Sequence, residues 1–182
     1  MVPTMSKIII LRGNSACGKS TTAKALQKRI GNGTLLISQD NVRREMLWEK
    51  TGQHNQTLSL LKNLVVYGYQ NCEVSILEGI LSTGTYDDLF SLIKKTYNQQ
   101  ILAYYFDMPF EETMRRHSQK SYSHEVGEIQ LRNWWREKDL LKNICEKMIC
   151  KEMNTNDIVE LIYQDLTGES MHEKYHLCQK LH

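Results

Sequence analysis

The chain has 182 residues, with 23 Lys and Arg against 21 Asp and Glu for a net charge of +2. That length suits one compact domain with a core of its own. The near-cancelled charge excludes a global attraction to nucleic acid or an anionic membrane, so any basic site must be local. No apolar run reaches the roughly 18–20 residues of a membrane span, and Met1 to Lys7 lacks the apolar centre of a secretory signal. The cysteines (Cys17, Cys72, Cys145, Cys150, Cys178) are scattered and form no Cys-x-x-Cys pair. They read as reduced thiols in a cytoplasmic protein. Two prolines, no low-complexity linker and no internal repeat fit a single domain over residues 1–167, followed by a tail, 168–182.

Lys7 to Arg12 reads as a buried strand and Thr21 to Ile30 as a helix. Thr34 to Ser38 is a second short β-rich run, after which Asp40 to Lys50 and Thr57 to Cys72 are expected to be helical. Val74 to Leu77 is a third strand ending at Glu78-Gly79. Tyr86 to Tyr97 has helical periodicity, with Leu89, Leu92 and Ile93 on one face. Ile101 to Phe106 is a fourth strand, and Pro109 opens a helix to about His117. The polar stretch from Ser118 to Glu125 starts an expected lid, about 118–136, whose later part is a helix carrying Trp134 and Trp135. A weak fifth strand falls near Lys147 to Lys151, and Thr155 or Asn156 caps a last helix to about Leu166. Such alternation predicts a three-layer α/β/α fold: a parallel sheet of about five strands, helices on both faces, and ligands at the strands' carboxyl ends.

Between the first strand and helix, Gly13-Asn14-Ser15-Ala16-Cys17-Gly18-Lys19-Ser20 matches the phosphate-loop pattern G-x-x-x-x-G-K-[ST], in the strand–loop–helix context that gives the pattern meaning. The glycines let successive N–H groups point into one concavity, which with the helix N-terminus binds phosphate. Lys19 can reach the β- and γ-phosphates, and Ser20, followed by Thr21, can ligate Mg²⁺.

Phosphoryl transfer further needs cations against developing charge and a carboxylate that orients the attacking hydroxyl. Asp40 is the candidate base, with Arg43 or Arg44 gripping an acidic group on the acceptor; the bland alternative is a helix cap beside solvated arginines. Glu78 is placed to hold Mg²⁺ through water, or else to touch substrate. Arg115 and Arg116 before the lid, and Arg132 and Arg136 after its start, are candidates for phosphate and substrate contacts, because a guanidinium makes bidentate bonds. Trp134 and Trp135 cannot face the same way on one helix, so one packs inward and the other can line the acceptor pocket. That pocket is expected from Asp40 to Asn63 and after Glu78, with Trp48, Gln53, His54, Tyr67 and Tyr86 as candidate linings.

Together these segments resemble small P-loop kinases of the zeta-toxin-like, chloramphenicol phosphotransferase-like and polynucleotide-kinase-like group, whose members are often labelled uridine kinase-like. The resemblance rests on Arg12 to Thr21, Leu36 to Leu47, Ile76 to Leu81, Tyr105 to Asp107 with Glu111 to His117, and Leu131 to Trp135. It implies a P-loop phosphotransferase that uses ATP and Mg²⁺ to phosphorylate an alcohol group of a small molecule, such as a nucleoside, a nucleotide-sugar or an antibiotic; a polynucleotide 5′-hydroxyl stays open as an acceptor, weakly disfavoured by the balanced charge. It also implies Lys19, Asp40 and Arg116 as catalytic and Arg115 in the ATP site. Cys17 departs from the commoner Gly. The competing reading is a non-kinase NTP-binding or ATPase regulatory protein, although no guanine-reading Asn-Lys-x-Asp is present. His172-Glu173-Lys174-Tyr175-His176 matches the zinc pattern H-E-x-x-H, but it stands in the tail without a third ligand or a scaffold.

Overall fold

The computed structural model describes residues 6–49, 56–118, 129, 132–133 and 135–168. Five parallel strands, β1 (Lys7–Gly13), β2 (Leu35–Ser38), β3 (Val74–Glu78), β4 (Ile101–Asp107) and β5 (Glu146–Cys150), form one sheet in the order β2-β3-β1-β4-β5. The helices are α1 (Lys19–Ile30), α2 (Gln39–Asn41), α3 (Gln56–Asn71), α4 (Asp87–Tyr97), α5 (Phe110–Ser118) and α6 (Thr155–Thr167).

The alternation of β1 sorts the layers, because successive side chains of a strand point to opposite faces. Ile8 and Ile10 join the core under α3 and α4, with Leu61, Val65, Leu77, Leu89 and Ile93. Ile9 and Leu11 join the core under α1 and α6, with Ala23, Leu26, Ile149, Ile158 and Ile162. Each of these side chains is almost wholly buried, worth about 1.5–3 kcal/mol apiece for the larger aliphatics. Covered on both faces, the sheet reads in sequence as apolar runs rather than as alternating ones. The three-layer parallel architecture expected from the sequence is the one found.

Element edges differ in instructive places. The helix expected over Asp40–Lys50 is instead the single turn α2 followed by a π-helical turn, Val42–Met46. Asn154, rather than Thr155 or Asn156, caps α6, in a capping box with Asp157. Trp135 lies beyond the helical residues 132–133, not within a helix. Most of the expected lid, Trp134, Gln53, His54 and the H-E-x-x-H tail lie outside the described residues. No helix among the described residues is long and apolar enough to cross a membrane.

Candidate functional site

All five strands deliver their carboxyl ends to one edge of the sheet, where the phosphate loop follows β1, Asp40 follows β2, and Glu78 and Asp107 end β3 and β4. Gly13 ends β1 at φ 137°, and a Cβ added to it would stand 2.7 Å from the Phe106 carbonyl oxygen. Only glycine lets the loop leave the sheet so close to β4. The loop turns through Ala16 at φ 60° and Gly18 at φ 102°, and then enters α1. Ala16 in the left-handed region costs about 1–2 kcal/mol, a cost tolerated where the loop must present its N–H groups inward.

Lys19 is buried, and its Nζ donates to the Asn14 carbonyl at 2.7 Å and to Cys17 Sγ at 3.3 Å. The ammonium is therefore curled inside the loop, where β- and γ-phosphates would lie. Asn14 is tied outward: its Nδ2 donates to the Arg136 carbonyl at 2.7 Å and its Oδ1 accepts from Arg136 N at 2.9 Å. Ser15 lies half-buried within the loop, while Ser20 and Thr21 open α1 with their side chains exposed.

Glu78 is the best defined carboxylate of the site. It ends β3, beside β1, and is 3 % exposed. Ser20 Oγ donates to both of its oxygens at 3.1 Å, and Ser38 Oγ donates to Oε1 at 2.5 Å. No cationic side chain of the described residues forms an ion pair with it. A buried carboxylate bonded to neutral hydroxyls, one of them the loop serine, is a hard oxygen set that suits Mg²⁺, an ion that keeps waters and takes its other ligands from phosphate. Among the described residues no group of three or more His, Cys, Asp or Glu side chains could hold a metal. Magnesium bound between a nucleotide and one or two protein oxygens needs no such group. No local signal in the sequence singles out Ser38. Its role depends on the register that sets Ser38 against Glu78 across β2 and β3.

Two residues beyond Ser38, Asp40 projects from α2 with its side chain 55 % exposed. Arg43 Nη2 and Arg44 Nε both donate to its Oδ1, at 2.8 and 2.9 Å. The arginines expected to grip an acceptor thus sit against the expected base. Gly79 lets this element approach β3, since an added Cβ would meet Gln39 Cβ at 2.7 Å. Behind it Tyr86 is buried, and that burial pushes its hydroxyl above the ordinary tyrosine range, opposed by a hydrogen bond from Gln39. Trp48 and Tyr67, by contrast, are exposed.

On the opposite flank, Arg116 Nη1 donates to the Cys17 carbonyl at 3.2 Å, so α5 leans on the phosphate loop. Its Nε, and both Nε and Nη2 of Arg115, donate to Glu112 at 2.6–2.8 Å. These bonds hold the Glu112 carboxyl down at about 2. Arg116 faces the loop while the Arg115 side chain is largely exposed. Arg132 lies over the Phe110 ring at 4.3 Å, and Phe110 meets Trp135 edge to face at 6.0 Å. These three, with Asp107, Glu137 and Lys138, line a cleft of about 480 Å³ beyond β4. The Trp135 indole N–H is buried without a hydrogen-bond partner among the described residues.

A phosphate loop between β1 and α1, with a buried carboxylate ending the neighbouring strand of an all-parallel sheet, defines a P-loop nucleotide-binding protein of the α/β/α class. More particularly, a family model described as AAA domain matches residues 8–142, and the chain belongs to that family. No curated protein sequence matches the chain. Among solved structures, the Mycobacterium tuberculosis APS kinase CysC in complex with AMPPNP and APS superposes with a TM-score of 0.65 at 17% identity, covering 92% of this chain and 100% of that one. A gluconokinase from Sinorhizobium meliloti 1021 gives 0.59 at 13%, covering 92% and 99%. Shikimate kinase from Aquifex aeolicus gives 0.55 at 17%, covering 89% and 97%. The fold is the one these small P-loop kinases share.

Proposed function

We propose that the chain is an ATP- and Mg²⁺-dependent phosphotransferase that moves the γ-phosphoryl group onto a hydroxyl of a small molecule. The observation that carries this reading is the hydrogen-bonded chain Ser20–Glu78–Ser38, which joins the phosphate loop to the turn bearing Asp40. The first half of that chain suits any bound nucleotide; the second half brings the turn with Asp40, a carboxylate able to orient an acceptor hydroxyl, next to it. The kinases that share the fold favour the same reading.

In this mechanism Lys19 and the loop N–H groups bind the β- and γ-phosphates, with Gly13 to Thr21 as the donor site. Ser20 would hold Mg²⁺ directly and Glu78 would hold it through water; when bound, the ion neutralises charge on the phosphoryl oxygens. Asp40 orients the acceptor hydroxyl and takes its proton. Arg116, already against the loop, faces the transferred group, and Arg115 contacts the outer nucleotide. Arg43 and Arg44 exchange their bonds to Asp40 for an acidic group of the acceptor, with Arg132 reaching in from the lid. The free thiols Cys17, Cys72 and Cys145 fit a cytoplasmic setting.

The test is a transfer screen with γ-labelled ATP and Mg²⁺ over nucleosides, nucleotide-sugars, sugars and aminoglycoside-like antibiotics. The expected result is labelled product from one acceptor class. Tight ATP binding with no transfer to any acceptor would instead favour the regulatory NTP-binding reading.

A further inference from the structure

Arg12 is the one charged residue in the interior of β1, and its phase with Ile8 and Ile10 turns it into the layer under α3 and α4. It is 0 % exposed. A guanidinium there is tolerable only if it is paired and its donors are used. They are: Nε donates to the Leu81 carbonyl at 3.0 Å, and Nη1 to the Asp139 carbonyl and the Glu146 carboxylate at 3.0 Å. Nη2 donates to Asp139 Oδ2 at 3.1 Å, and the guanidinium lies over the Phe90 and Tyr105 rings.

The two carbonyls belong to different segments. Leu81 is in the chain leaving β3, three residues after Glu78. Asp139 is in the chain that returns toward β5. The segments are also bonded to each other, since the Asp139 carboxylate accepts from both Thr83 N, at 3.0 Å, and Thr83 Oγ1. Each carries a non-glycine residue in the left-handed region beside its contact: Leu81 at φ 45° and Lys138 at φ 44°. Strained backbone persists where surrounding contacts over-determine it, and here those contacts converge on Arg12. The returning segment has a second tether, the reciprocal bonds of Arg136 with Asn14. Arg12 and Asn14 flank Gly13, the first residue of the phosphate loop.

We infer that Arg12 is a positioning residue: it couples the phosphate loop to the segments 79–86 and 135–141, so that nucleotide in the loop orders the acceptor-side chain and the returning chain together. The inference rests on the reading of the loop as a nucleotide site. A fork that bonds two segments at fixed angles transmits a shift of β1's end to both, which a single point contact would not do.

Hydrogen exchange on the full chain, with and without Mg²⁺ and AMPPNP, tests this. In the wild type, exchange slows in 79–86 and 135–141 together, by about fivefold or more. In Arg12→Lys the charge is kept and the fork lost: AMPPNP affinity stays within about threefold, 135–141 still responds through Asn14, and 79–86 does not. Thr83→Val removes one hydroxyl without leaving a buried charge unpaired. The Arg12 fork on Leu81 stays in place, so 79–86 still slows with AMPPNP in this variant; loss of that response would assign the coupling to the Thr83–Asp139 contact instead of Arg12. A wild type that binds AMPPNP with no response in 79–86, a folded Arg12→Lys that responds as the wild type does, or a Thr83→Val that loses the 79–86 response would overturn the role of Arg12. Failure of the wild type to bind AMPPNP would remove the nucleotide reading, and this inference with it.

Discussion

The two halves of the site are built differently. On the donor side, Lys19, Glu78 and Asn14 are buried; Lys19 bonds inside the loop, while Glu78 and Asn14 bond to segments distant in the chain. On the acceptor side, Asp40 and Arg44 are about half exposed and bond within one turn, at spacings of three and four residues. In the proposed function the buried half serves one ligand chemistry, triphosphate, for which rigid preorganisation raises efficiency. The acceptor half stands on a short, irregular turn between β2 and α3, where side-chain exchange costs little. Loops on a rigid scaffold are where specificity can change without disturbing the fold. The three kinases that share this fold carry different acceptors in their names.

Four measurements set the two halves apart. Lys19→Met strikes the rigid half, and transfer should fall about 10²–10³-fold in a steady-state assay. Glu78→Gln keeps the shape and removes the charge; the Mg²⁺ concentration for half-maximal rate should rise about 10–100-fold in a metal titration. Arg44→Ala strikes the adaptable half: acceptor KM should rise about tenfold with kcat nearly unchanged, and urea melts should show a stability change within about 0.5 kcal/mol. The smallest effect concerns Glu112. Its carboxyl is held at about 2, below the ordinary 4.5. A folded value depressed in this way keeps the bonds to Arg115 and Arg116 intact above the ordinary range, and loses them only as pH falls through about 2. NMR titration of the Glu112 carboxyl, assigned with Glu112→Gln, should therefore show no midpoint between pH 4 and 5.

What the sequence disclosed follows the range of the forces involved. The phosphate loop, the five strands and the Pro109 helix start are local signals, and they were legible. Asp40 and Glu78 were legible as strand-end carboxylates in a P-loop context. The π-helical turn after Asn41 was not, because its residues have ordinary helical character and tertiary packing decides the pitch. Ser38 escaped notice because only strand register brings it to Glu78. Arg12 carried a signal, a charge in phase with Ile8 and Ile10, but its partners lie 69 to 134 residues away. Such partners are invisible until the sheet is assembled.

In the proposed function Asp40 serves the acceptor while the buried half serves ATP. This division of roles is tested most directly by comparing Asp40→Asn with the wild type in single-turnover transfer from γ-labelled ATP, with AMPPNP affinity measured in parallel. Transfer should slow about 10²-fold or more, with AMPPNP binding unchanged. Transfer at the wild-type rate, or AMPPNP binding lost in step with transfer, would contradict it.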